Sequence, residues 1–166
     1  MADPTRRITD LSWLSAENFK FRNTEFLMND DLHYDISDYE SRAELRRQIW
    51  NVRNGDLRKV IRRFPTDKPL RVQCALWMQA LVGKHFFPDA NHRTAIALLR
   101  QLLMRNDMIP NDWSIERTRA ARDESHAVRK QIPPIRLDTL YKPTRLYLVW
   151  WRYFVDVLDP ASVKGV

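Results

Sequence analysis

Glycine is scarce in this chain of 166 residues, with three copies at positions 55, 83 and 165. Cysteine is scarcer still, because Cys74 stands alone. One thiol cannot close an internal disulfide, so a stapled secreted scaffold is excluded and a reducing cytoplasm is the expected home. Cys74 itself is expected to fill a small space in the core. No apolar run suits a bilayer: the most apolar late stretch, LYLVWWRYFVDVL at 146–158, is too short and contains Arg152 and Asp156. The start, MADPTRRITD, has no apolar run after its charges, so neither a secretion signal nor a membrane role is expected. Period-two alternation is nearly missing, which argues against a sheet protein. Repeats, low-complexity tracts and linkers are missing as well. These absences leave an all-α fold in one domain spanning 1–166.

Acidic residues are in the minority. The 28 Lys and Arg outnumber the 21 Asp and Glu, for a formal charge of +7. Such a surplus draws polyanions, so nucleic acid, nucleotides or an acidic protein all qualify as partners.

The helical pattern is uneven along the chain. Residues 1–40 are mixed and predict irregular structure with short helical or extended pieces around WLSAENFKFRN. NDDLHYDISDYE (29–40) reads as an exposed loop or hairpin. From Ser41, with Glu44 completing a capping box, Leu45, Ile49 and Val52 mark a helix that Gly55 should break. A second carries Leu57, Val60, Ile61 and Phe64, and Pro65 stops it. Asp67 then caps a helix with Pro69 in its first turn and apolar residues from Cys74 to Val82. A helix so apolar around its circumference should be surrounded by others, and Gly83 should end it. TAIALLRQLLMRN gives another broad buried face, closed by ND and Pro110. Residues 112–131 are charged and read as a solvated outer helix. Residues 143–158 align Leu146, Trp150, Tyr153 and Val157 as a docking helix for the core.

Between the two most apolar helices lies HFFPDANHR (85–93). A helix starting near Asn91 leaves its first amide N–H groups without intrahelical partners and places partial positive charge there. Such an end attracts phosphate, and Arg93 in the first turn adds a planar donor fork. Asp89 can cap the helix or hold a magnesium ion that keeps most of its waters. His85 supplies a base near neutral pH. An anion cradle, a metal carboxylate and a base in one place suit transfer of a phosphorus-containing group. A zinc site from His85, Asp89 and His92 is the rival, but the spacing matches no usual zinc pattern.

These residues resemble the signature of the Fic/Doc (Fido) family, histidine-x-phenylalanine-x-acid-small-asparagine-x-arginine, matched by His85, Phe87, Asp89, Ala90, Asn91 and Arg93. The resemblance extends over about 74–108 within a motif region of 68–106, and DANHRTA is closest to the Doc (death-on-curing) toxin branch. It implies a Fido-like helical bundle with the active-site loop between two buried central helices and a small flap near 30–40, where Tyr34 and Asp35 lie. It also implies roles: His85 takes a proton from a target hydroxyl, and Asp89 coordinates Mg2+. Asn91 and Arg93 hold phosphate, and Phe87 and Ala90 shape the loop; His92, between Asn91 and Arg93, is expected to join the phosphate site, donating when protonated or else shrinking the pocket. The implied activity moves a phosphate or nucleotidyl group from ATP, or another nucleoside triphosphate, to a target protein. The departures are His92, where AMP-transferring members have glycine and Doc has lysine, and Ile96, where a second arginine would stand. Both point away from AMP transfer and toward a kinase. The self-inhibiting Ser/Thr-x-x-x-Glu-Gly/Asn segment is missing, so restraint is expected from a separate antitoxin chain. The alternative is a degenerate Fido domain acting as a basic protein- or nucleic-acid-binding module.

Overall fold

The computed structural model describes residues 6–108, 113 and 115–158, and among them there are seven helices and no strand. The helices are α1 (Ala16–Met28), α2 (Arg42–Asn51), α3 (Asn54–Arg62), α4 (Leu70–Lys84), α5 (Asn91–Arg105), α6 (Ile115–Arg129) and α7 (Arg145–Val157). The all-α expectation holds for these residues. The stop at Pro110 and the helix start at 112 lie outside them.

α4 is the axis of the packing. It is buried without interruption from Gln73 to Val82 and lies against α5 and α7. Its length of apolar surface leaves no face for water, so neighbours must cover every side. α5 contributes Ala95, Leu98, Leu99, Leu102 and Leu103, and α7 contributes Leu146, Val149, Trp150, Tyr153, Phe154 and Val157. The buried polar residues of α4 tie in the loops. Gln79 donates to the carbonyls of Leu140 and Lys142 at 3.0 and 2.8 Å, and its oxygen accepts from the N–H and hydroxyl of Thr144. Gln73 exchanges two hydrogen bonds with the backbone of Ile8. Cys74 is buried with its thiol free.

Several local expectations are corrected. α1 is a full helix of 13 residues, where irregular structure was expected. Its inner face buries Lys20 and Asn23 while Phe21 and Met28 lie outside, so the apolar period is scrambled. Gly55 does not break α2, which ends at Asn51; it stands in the first turn of α3. Ser41 does cap α2, accepting from the Glu44 N–H at 3.2 Å. Asp67 does not cap α4, whose N-cap is Pro69. Gly83 does not end α4 either. It lies inside the helix because a Cβ there would collide with Ile135 Cδ1 and sit 3.2 Å from Leu146 Cδ2. The helix ends one turn-position later, at a left-handed His85. Residues 30–40 contain no hairpin: they form turns and extended chain without strand pairing.

Candidate active site

The loop from His85 to Ala90 joins α4 to α5 and is bracketed by two non-glycine residues in the left-handed region, His85 at φ 55° and Ala90 at φ 59°. Each costs about 1–2 kcal/mol of backbone strain, so other contacts must hold the loop. Asn91 supplies one set. Its Oδ1 accepts from the Phe87 N–H at 3.1 Å and its Nδ2 donates to the Phe87 carbonyl at 2.9 Å. Phe87 itself is buried in the core. A second set comes from α1, through the buried Asn23. Its Nδ2 donates to the Asp89 carbonyl at 2.8 Å and to Thr94 Oγ1 at 3.0 Å. Tyr34, also buried, donates its hydroxyl to Asn23 Oδ1 at 2.8 Å and accepts from the Asp89 N–H at 3.3 Å. Residues 34 and 35 thus pack onto the loop, where the Asp35 N–H donates to Asp89 Oδ2 at 2.7 Å.

The result is a cleft of about 450 Å³ lined by His33, Asp35, His85, Asp89, Ala90, Asn91, His92, Arg93, Arg122, Asp123, His126 and Arg129. The first intrahelical bond of α5 runs from the Thr94 N–H to the Ala90 carbonyl at 2.9 Å. The amides of Asn91, His92 and Arg93 precede it and are the dipole-positive end of the helix. Arg93 lies 3.6 Å from Asp89 Oδ2 and its guanidinium stacks 5.0 Å from the Phe26 ring centre. Both polar contacts of the Asp89 carboxylate fall on Oδ2, which leaves Oδ1 with coordinating capacity.

His85 is exposed at the cleft, and its Nδ1 lies 3.2 Å from Asn91 Nδ2. The Asn91 amide cannot be turned, since Phe87 presents an N–H to one side of it and a carbonyl to the other. Asn91 therefore donates to Nδ1, and the neutral His85 ring carries its proton on Nε2. A base working through Nε2 needs the opposite tautomer. Partial desolvation and the nearby Arg129 hold this imidazole below the ordinary histidine range, so the ring is neutral at pH 7.

His92 lines the cleft but directs one ring nitrogen, Nε2, into the packing. Its ring is buried, and Nε2 lies 2.8 Å from Ser125 Oγ on α6. Ser125 also accepts from the Trp150 indole N–H at 3.1 Å, and since its own proton has no other acceptor among the described residues, that proton is directed at His92 Nε2. Trp150 and Ser125 are fully buried. Desolvation first, then His126 and the arginines of α6, push the His92 pKa down to about 2. A neutral ring brings no positive charge to an anion, and with Nε2 engaged its Nδ1–H and the backbone N–H of residue 92 are the donors this position can offer.

This buried triad has a second consequence. It ties α6 to α5 and α7, and α6 turns Arg122, His126 and Arg129 into the cleft. The charged helix is therefore solvated on one side only. The spacing 122, 126, 129 is itself a helical face, so the signal was present in the sequence as a polar stripe of one sign. Asn23 gave no comparable signal, being one polar residue in a scrambled pattern.

The cleft is polarised. Asp35 and Asp89 lie together beside the α5 N-terminus, while Arg122 and Arg129 hold His126 below its usual range, after desolvation, and do the same to His92. A larger groove of about 850 Å³ between α1 and α2 is lined by Phe21, Met28, Ala43, Trp50 and three arginines. It has no group able to exchange a proton near neutral pH, which disfavours it as a reaction site.

Among the described residues no three His, Cys, Asp or Glu side chains gather as a metal-holding group. A divalent ion here would have Asp89 as its protein ligand and complete its shell with waters and ligand oxygens, which suits Mg2+. No helix among the described residues is long and apolar enough to cross a membrane. Compared with family models, curated proteins and solved structures, the chain matches none.

Proposed function

We propose that this cleft binds a nucleoside triphosphate with Mg2+ and transfers a phosphate or nucleotidyl group to a hydroxyl of a target protein, in the manner of a Doc-like toxin in the cytoplasm. The observation that carries the reading is the convergence of the α5 N-terminus, Arg93, Asp89 and His85 on one open cleft. Backbone amides and a guanidinium are preorganised donors for phosphate oxygens. Asp89 would hold the magnesium ion, which neutralises phosphate charge when bound. The motif region 68–106 spans α4, the loop and α5, and a motif loop set between two buried helices supports the reading of a Fido-like bundle.

His85 is the group available to move a proton. For it to accept one from a target hydroxyl, either the 3.2 Å contact from Asn91 opens at Nδ1 or the ring changes tautomer. Incubation with a cell lysate and ATP labelled at either the γ or the α phosphate tests the reading. Label transferred from γ alone identifies a kinase, and label from α identifies nucleotidyl transfer. His85→Ala should abolish either signal, and absence of transfer from both positions in inhibitor-free protein refutes catalysis.

A second reading has its own support. The +7 charge and the engaged Nδ1 of His85 both suit a non-catalytic basic module that binds nucleic acid or an acidic protein. Steeply salt-dependent binding to DNA or RNA without nucleotide-dependent thermal stabilisation would favour it.

A further inference from the structure

The proposed phosphate site has an unequal distribution of guanidinium groups. α5 supplies only Arg93, and that side chain is partly committed to Asp89 of its own loop at 3.6 Å. α6 supplies two, Arg122 and Arg129, both half-buried in the cleft wall. Among the described residues, neither forms an ion pair with a carboxylate. Desolvating a guanidinium without a counter-charge is unfavourable. Two such groups on one wall, with three neighbouring imidazoles held neutral, are what a polyanionic ligand would offset.

The spacing adds a constraint on the ligand. Residues seven apart on a helix stand about 10 Å apart along its axis. Side chains rooted so far apart suit an extended phosphate chain, which can meet both guanidinium groups at once. The position of this wall is not left to a mobile surface helix, because the His92–Ser125–Trp150 hydrogen bonds anchor it at its buried face.

We propose that Arg122 and Arg129 form a second phosphate clamp, which makes the cleft select a triphosphate chain over shorter phosphates. This rests on the reading that the cleft binds phosphate at all. The clamp takes over the far end of the chain from the α5 amides.

Isothermal titration of the full chain with phosphate, pyrophosphate and tripolyphosphate tests the two claims separately. The proteins compared are the wild type, the Arg122→Ala/Arg129→Ala pair, Arg93→Ala, and Arg119→Ala on the exposed side of α6. Wild type should bind tripolyphosphate at least about 100-fold more tightly than phosphate, given two further charge-assisted contacts. The alanine pair should lose about 10- to 100-fold for tripolyphosphate and change little for phosphate, while Arg119→Ala matches wild type. Arg93→Ala should weaken all three ligands. If the alanine pair retains the wild-type preference for tripolyphosphate, the clamp is overturned and the phosphate reading stands. If wild type binds none of the three, both fall. Should the alanine pair fail to fold, an Arg122→Lys/Arg129→Lys pair carries the test, since lysine keeps the charge without the planar fork. A selective drop of about tenfold for tripolyphosphate then supports the clamp, and wild-type affinity overturns it.

Discussion

Ser125→Ala removes one oxygen atom and orphans two buried groups. The Trp150 indole N–H loses its 3.1 Å acceptor, and His92 Nε2 loses its 2.8 Å donor. Trp150 is fully buried, so its N–H cannot turn to water. Leaving such a group unsatisfied costs about 1–3 kcal/mol. His92 Nε2 loses one neutral donor in the same buried network, a loss at the lower end of that range, about 1 kcal/mol. The hydroxyl leaves almost no volume behind, so the cavity contribution is small. The sum is about 2–4 kcal/mol, which corresponds to a fall in Tm of about 5–15 °C for a domain of this size. Urea denaturation with a matched slope separates this from a change in the unfolded chain. The account further requires weaker tripolyphosphate binding in the folded variant, because α6 loses its anchor to α5. A loss below about 0.5 kcal/mol would refute the reasoning that the triad is buried and hydrogen-bonded.

Three other outcomes follow from the same coordinates. Nitrogen-15 spectra of the ligand-free protein should show His85 as the Nε2–H tautomer and His92 as the Nδ1–H tautomer; the reverse for either contradicts the networks described. Stability should fall on acidification because His92, depressed to about 2 in the fold, accepts a proton near 6.5 once unfolded. The unfolded state then binds more protons between these values, and the contribution of His92 is complete above pH 6.5 and declines below it, by about 2 kcal/mol from pH 7 to pH 5. His92→Gln should flatten that slope in urea titrations across pH, and an unchanged slope counts against a neutral buried ring. Gly83→Ala should destabilise by about 1–2 kcal/mol, since overpacking of about 1–3 kcal/mol outweighs the gain of about 1 kcal/mol in helix propensity. Adding Ile135→Val, which deletes the colliding Cδ1, should recover most of that loss in thermal denaturation; no recovery would place the clash elsewhere.

What was legible in the sequence followed from apolar periodicity. α4, α5 and α7 were plain because their buried faces are continuous, and α5, expected to start near Asn91, begins at that residue. α1 was illegible because its inner face uses Lys20 and Asn23 for hydrogen bonding while Phe21 and Met28 remain outside. Gly83 was misread because a glycine near a helix end suggests a stop, whereas a close approach by Ile135 and Leu146 requires one inside the helix. Within the site, the local motif brought His85, Asp89, Asn91 and Arg93 together by their spacing on one loop and helix start, while the long-range contacts of Asn23 and Tyr34 that hold the loop left no sequence signal. His92 could not be placed without knowing that Ser125, 33 positions later, lies over it. The arginines of α6 were legible only as a stripe, and a stripe of charge ordinarily means solvent. Tertiary packing turned that stripe inward.

The central claim is that the amides opening α5 hold phosphate within reach of His85. A crystal structure with Mg2+ and a non-hydrolysable ATP analogue tests it most directly. Phosphate oxygens should occupy hydrogen-bonding positions at the N–H groups of residues 91–93, with the Arg93 guanidinium alongside and the His85 ring facing the phosphate chain. An analogue bound at another surface with this cleft empty, or no bound analogue at saturating concentration, would contradict the account.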